Sequence, residues 1–153
     1  MAVNSHFIQG YIREFQKGDL YEVMEIARQS FSEYYSSNLI IDLYNAWPKA
    51  FMVYMLNDSV QGFIIGSRNH EGEARILLLA VKSELRGMGI GRSLMEHFVN
   101  FAIQNHMISI RLEVKIDNEN AITFYRNFGF VITSRIKGYY SDASDAFTMW
   151  KII

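Results

Sequence analysis

Arg86, Gly89 and Gly91 fall at the spacing Arg-x-x-Gly-x-Gly, between a short apolar run (Ile76 to Val81) and a long amphipathic segment. A glycine-rich turn leading from a strand into a helix is suited to holding an anion. Its glycines let the backbone approach a ligand closely. The first free N–H groups of the helix point outward with the positive end of its dipole behind them. The loop is not a P-loop, because no G-x-x-x-x-G-K-[ST] string occurs. Nor does it fit the dinucleotide fingerprint G-x-G-x-x-G: after Gly87 and Gly89 the third glycine falls at 91, and position 92 is Arg. The Arg-x-x-Gly-x-Gly spelling fits without adjustment. It describes a phosphate cradle running from Arg86 through Gly87, Met88, Gly89 and Gly91 to Arg92. A plain glycine-rich turn would have the same spelling.

The elements that must carry this loop follow from local patterns. The chain has 153 residues, half of them apolar, and a net charge of −1, which is about one domain and gives no sign of bulk nucleic-acid or anionic-membrane binding. It has no cysteine, so disulfides, thiolate metal sites and a Cys nucleophile are excluded. The start of the chain has neither a basic nor an apolar leader pattern, and a cytoplasmic protein is expected. His6, His70, His97 and His106 have no metal-ligand spacing, so no metal is expected. A strand is expected at 7–14, and a capping box pairing Asp19 with Glu22 at the start of the next helix. A second helix should end before Pro48. A hairpin around Asn57-Asp58-Ser59 joins strands at 50–56 and 60–67. A strand at 73–82 enters the glycine loop, and the helix after it presents Ile90, Leu94, Phe98 and Phe101 on one face. Alternating apolar and charged residues make 110–116 a half-buried strand. Asn118 caps a helix reaching Phe128, with Gly129 beyond its end, and strands at 130–137 and 146–152 close the chain. The order β-α-α-β-β-β-α-β-α-β-β is an α/β domain around a mixed sheet.

The segment LEVKIDNENAITFYRNFGF (112–130) adds Leu112, Val114, Asn118, Ala121, Tyr125, Gly129 and Phe130 at fixed spacings. Together with the glycine loop it resembles the GCN5-related N-acetyltransferases. The closing stretch KGYYSDASDA (137–146) and FSEYY (31–35) resemble the protein N-terminal acetyltransferases, both RimI-like enzymes and the NatA catalytic subunit. The resemblance implies one acetyltransferase domain over 1–153, with a mostly antiparallel sheet whose two parallel strands splay apart. It implies acetyl-CoA as cofactor, its pyrophosphate in the glycine loop and its pantetheine along Leu79-Ala80-Val81, with the Leu79 N–H on the thioester carbonyl. Asn118 would contact the pantetheine arm and Tyr125 would protonate the leaving thiolate; a tyrosine with its usual pKa near 10 stays protonated at neutral pH.

The same resemblance implies protein or peptide N-termini as substrate, with an auxiliary subunit or the ribosome as possible partners and neither nucleic acid nor membrane. Glu33 and Glu113 are the candidate bases, and Tyr35, Tyr139 and Tyr140 the candidate clamp around the incoming N-terminus, with Glu33 beside them. About one α-amine in ten is neutral at pH 7, against about one lysine in 2,500, so an α-amine acetylase needs only modest help from a base. Several relatives carry His where this chain has Arg75, and Arg cannot serve as a base. That shifts the proton's path toward Glu33 and water. Lys115 and Lys137 read as solvated charges. Two other functions fit the same residues: acetylation of a small amine or a lysine, and non-catalytic sensing of acyl-CoA.

Overall fold

The computed structural model describes residues 10–153. His6 and the first residues of the strand expected at 7–14 lie outside that range. The elements are β1 (Tyr11–Glu14), α1 (Leu20–Ser30), α2 (Ser37–Ala46), β2 (Phe51–Leu56), β3 (Ser59–Arg68), β4 (Glu73–Val81), α3 (Ile90–Gln104), β5 (Ser109–Lys115), α4 (Glu119–Asn127), β6 (Val131–Ile136) and β7 (Ala146–Ile152). The strands form one sheet in the order β1-β2-β3-β4-β5-β7-β6. Every neighbouring pair is antiparallel except β4 and β5.

Two apolar layers sandwich the sheet. Phe15, Val23, Ile26 and Ile40 pack with Phe63, Ile65, Leu78 and Ala80 on the α1/α2 face. Leu94, Phe98, Ile122 and Phe130 pack with Ile64, Ile76, Leu112 and Val114 on the α3/α4 face. At the β2–β3 turn Asn57 and Asp58 both have positive φ (53° and 61°), the requirement of a type I′ hairpin. The Asn118 side chain accepts the Ala121 N–H and caps α4, and Gly129 beyond its end has φ 89°.

The Asp19–Glu22 capping box does not form. Asp19 instead receives both nitrogens of the Arg13 fork and the Gln16 N–H. Glu22 accepts the Val60 N–H and ties α1 to the hairpin. A two-pronged guanidinium is a stronger partner for a carboxylate than a helix N–H.

The feature that shapes the site lies in the middle of β4. Pairing with β3 runs Ile65↔Leu78 and then Gly66↔Ile76, so Leu77 is an extra, unpaired residue. Such a bulge reverses which face the following side chains meet. Ala74 and Ile76 therefore face α3, whereas Leu78 and Ala80 face α1 and α2. The parallel pairing with β5 ends at Ile76↔Leu112, immediately before the bulge. From Leu77 onward β4 and β5 diverge and leave a notch.

Candidate functional site

The notch has peptide groups to offer. The Lys82 N–H donates to the Gln61 carbonyl. In an antiparallel ladder bonded and non-bonded residues alternate, so Ala80 and Leu78 also face β3 while Leu79 and Val81 turn their N–H and C=O groups toward the notch. Consistent with this, the Val81 carbonyl accepts from Arg86 Nε at 3.2 Å.

At the open end of the notch lies the glycine loop. Gly87 and Gly89 have φ of 80° and 87°, and a β-carbon at either would meet nothing within 4 Å. Only glycine holds this conformation without strain, and no side chain of the protein fills the space beside it. Gly89 is the N-cap of α3, and no side chain caps that end. The first N–H groups of a 15-residue helix thus face open space. Arg86 reaches the Ser30 hydroxyl at 3.4 Å, and Arg92 pairs with Glu96 at 3.0 Å along the exposed helix face.

A cavity of about 730 Å³ begins here, lined by Leu79, Val81, Arg86, Gly87, Gly89, Gly91, Arg92, Asn118 and Tyr125 among others. Met88 projects outward and is 53% exposed. A second cavity of about 360 Å³ opens on the α1/α2 side, with Glu33, Tyr35, Glu113, Lys115 and Tyr140 in its walls. Leu79, Asn118, Ala121 and Tyr125 line both. One cavity suits a long phosphate-bearing ligand, and the other a second substrate meeting it at Leu79 and Tyr125. Burial pushes the Tyr125 hydroxyl up to about 12, so it remains a proton donor throughout the neutral range.

The outer wall of the smaller cavity is built from two loops that hold each other. Glu33, between α1 and α2, accepts both the N–H and the hydroxyl of Ser141, between β6 and β7, and these bonds hold its carboxyl below the usual range. Lys115 donates to Ser32 at 2.8 Å and to Asp142 at 3.1 Å, and its ammonium lies 5.1 Å from the centre of the Tyr140 ring. The expectation of a solvated Lys115 is therefore wrong: it bridges both loops from the floor. Local sequence does not mark Ser141 and Lys115 as wall-linking residues, because their partners lie 108 and 83 residues away in the chain.

Among the tyrosines, Tyr35 and Tyr140 line this cavity, and burial raises both hydroxyls above the usual phenol value. Tyr139 does not line it. Tyr139 is 41% exposed, with its hydroxyl accepting from Arg75. Glu113 is engaged by Arg75 and lies 3.5 Å from Arg111 Nε. Among the described residues no cluster of His, Asp and Glu could hold a metal ion, and no helix is long and apolar enough to cross a membrane.

Comparison with known proteins bears on this geometry. Residues 20–130 match the model of the acetyltransferase (GNAT) family. The chain is 36% identical to an uncharacterised N-acetyltransferase of Methanocaldococcus jannaschii over 92% of its own length and 90% of the relative's. It is 30% identical to N-alpha-acetyltransferase 30 of Schizosaccharomyces pombe, covering 84% of this chain and 88% of that one. The crystal structure of Ard1 from Thermoplasma volcanium superposes with a TM-score of 0.92 at 50% identity, covering 94% of this chain and 97% of Ard1. Solved structures of the same fold hold acetyl-CoA, coenzyme A or a coenzyme A–peptide bisubstrate analogue.

Proposed function

The chain belongs to the GNAT acetyltransferase family and is an N-acetyltransferase using acetyl-CoA; from that premise we propose that it acetylates the free α-amine of protein or peptide N-termini by direct attack in a ternary complex. The observation that carries the reading is the pair of cavities meeting at Leu79 and Tyr125. Names of relatives point the same way, since one is an N-alpha-acetyltransferase.

The residues present fit acetyl-CoA. The uncapped α3 terminus, the empty space beside Gly87 and Gly89, and the Leu79 peptide groups and Val81 N–H turned toward the notch suit a pyrophosphate followed by an amide-bearing arm. Arg86 and Arg92 add charge at the mouth, and Asn118 has its side-chain N–H₂ left after capping α4. When bound, the cofactor supplies an activated acetyl thioester. The Leu79 N–H, turned toward the notch, would donate to the thioester carbonyl oxygen as negative charge develops on it. Tyr125 would supply the proton to the leaving thiolate from a desolvated position, which holds that proton until charge develops.

The α-amine loses its proton more readily than a lysine would, which matches the modest basic equipment of the smaller cavity. Glu33, ionised well below neutral pH, attracts the ammonium and receives its proton through water. Glu113, paired with Arg75 and 3.5 Å from Arg111, is charge-compensated and orders the floor of the cavity. Tyr35 and Tyr140 embrace the first residue of the peptide. The loops that wall this cavity are tied to each other through Glu33 and Ser141, which favours a chain end over a side chain projecting from mid-chain.

The test is thiol release from acetyl-CoA with short peptides starting in Ser, Ala, Met or Glu, beside an N-blocked peptide containing lysine. Turnover confined to free N-termini supports the proposal. Turnover of the blocked peptide moves the function to lysine, and turnover only with polyamines or aminoglycosides moves it to small amines.

A further inference from the structure

Arg75 lines neither cavity, yet it sits at the crotch of the notch. It belongs to the second-last register pair of the parallel strands, opposite Arg111, one residue before the last pair Ile76↔Leu112. On the face turned toward α1 and α2 it meets the carboxylate of Glu113. Arg75 Nε donates to Glu113 Oε1 at 2.8 Å, and Nη2 donates to the same oxygen. Nη2 has a second hydrogen, and it goes to the Tyr139 hydroxyl at 2.8 Å. The Tyr139 ring then stands edge-on to Tyr140, with centroids 5.0 Å apart and planes at 88°. Tyr140 is the member of this pair that lines the substrate cavity.

We propose that Arg75 is a positioning residue for substrate binding, fixing the Tyr140 wall through Tyr139 while Glu113 fixes Arg75. The chain of contacts runs without a gap from the sheet to the cavity: Glu113, Arg75, Tyr139, Tyr140. Each link is specific to the side chain that makes it. A guanidinium presents several donors in a rigid plane, so one group can serve a carboxylate and a phenol together. An ammonium on a flexible stem does this poorly. The other oxygen of Glu113 lies 3.5 Å from Arg111 Nε, and Arg111 lies 3.6 Å from Glu73, so opposite charges surround Glu113 without a further hydrogen bond. The loop between β6 and β7 already has internal ties. Asp142 accepts from Ser144, the Tyr140 carbonyl accepts the Ala143 N–H, and Asp145 accepts the Gly138 N–H. Lys115, 5.1 Å from the Tyr140 ring centre, and the Glu33–Ser141 bonds hold the Tyr140 side of the loop. The Arg75 hydrogen bond ties the Tyr139 side of the pair to the sheet.

The inference rests on the peptide-acetylation reading, and the experiment separates the two. Wild-type protein, Arg75→Gln, Arg75→Lys, Tyr139→Phe and the double variant Arg75→Gln/Tyr139→Phe are assayed for peptide and acetyl-CoA KM and for kcat. Amide exchange across residues 137–145 is measured by mass spectrometry in the same samples. Arg75→Gln and Tyr139→Phe should each raise the peptide KM roughly tenfold, the weight of one hydrogen bond to a charged group, while the acetyl-CoA KM stays put. The double variant should be no worse than either single one, because both break the same link. Arg75→Lys, which keeps the charge beside Glu113, should behave as Tyr139→Phe does. Exchange across 137–145 should speed up in all four. Additive losses, or a fall in kcat with both KM values unchanged, overturn the positioning role. If the wild type acetylates no peptide, the functional reading fails, and the exchange data still judge the tether: unchanged protection in Arg75→Gln refutes it.

Discussion

The glycine loop makes a prediction in which stability responds oppositely to the same methyl group at two neighbouring glycines. Gly89 has φ 87° and open space where a β-carbon would go. Alanine there meets no clash, so its cost is backbone strain alone, about 1–2 kcal/mol for an L-residue in the left-handed region. In a chain of 153 residues that lowers Tm by roughly 2–8 °C. If the loop relaxes to relieve the strain, the N–H groups at the start of α3 turn away from the pyrophosphate. Losing one such charge-assisted bond weakens acetyl-CoA binding by about tenfold to a hundredfold. Gly91 lies inside the first turn of α3, without positive φ, and its β-carbon would meet Phe124 at 3.7 Å and Val81 at 3.8 Å, ordinary contact distances. Alanine there improves helix propensity by up to about 1 kcal/mol and should raise Tm by roughly 2–4 °C. Because Gly91, Phe124 and Val81 all line the cofactor cavity, the same methyl group narrows it and should weaken acetyl-CoA binding while stability rises. Thermal unfolding with and without acetyl-CoA, and isothermal titration of acetyl-CoA, read both quantities. Equal loss of stability at the two positions, or a Gly89→Ala protein that binds as tightly as wild type, would refute the reasoning.

Other outcomes follow from the same geometry. Tyr125→Phe should lower kcat by at least about a hundredfold with acetyl-CoA affinity nearly intact, as measured by steady-state kinetics and titration; weakened binding with unchanged kcat would remove it as the acid. Since the Tyr125 hydroxyl is pushed up to about 12, the alkaline limb of the wild-type pH–rate profile should show no break from its ionisation below about pH 11. Glu33 is depressed by the two Ser141 bonds, so the stability it contributes is present above the ordinary glutamate value and is lost as pH falls through its lower, folded value. Below the limb set by the substrate amine, Glu33 adds a second, more acidic break. Ser141→Ala should therefore move that lower break to higher pH and Glu33→Gln should remove it; a lower break unchanged in both excludes Glu33 as the titrating group. Gly66→Ala would drive a β-carbon into the buried Phe98 ring and should cost about 1–3 kcal/mol by thermal unfolding, leaving KM values alone.

Much of the fold could be read from local chemistry, because its signals are local. Asn57-Asp58 adopts the turn its residues favour, Asn118 caps α4 through its own side chain, and Pro48 stands just beyond α2. The cofactor half of the site was legible for the same reason: Arg86 to Arg92 is one continuous loop. The bulge at Leu77 was not. Ile76 to Val81 is buried in alternation against two different cores, so the run has no polar residue to mark where the faces exchange. Asp19 shows how a distant partner overrides a short-range signal, since Arg13 takes the carboxylate that the Asp19–Glu22 spacing assigns to a helix cap. The substrate half depends on such partners throughout. Arg75 was visible as a departure from the family's histidine, but its link to Glu113 and Tyr139 spans 38 and 64 residues of chain.

The most direct test of the central claim uses a peptide carrying both a free α-amine and an internal lysine. After incubation with the protein and acetyl-CoA, tandem mass spectrometry locates the acetyl group. The account predicts a single acetyl on the N-terminal nitrogen, absent from the Tyr125→Phe reaction at the same time point. An acetyl group on the lysine, with the N-terminus unmodified, would contradict it.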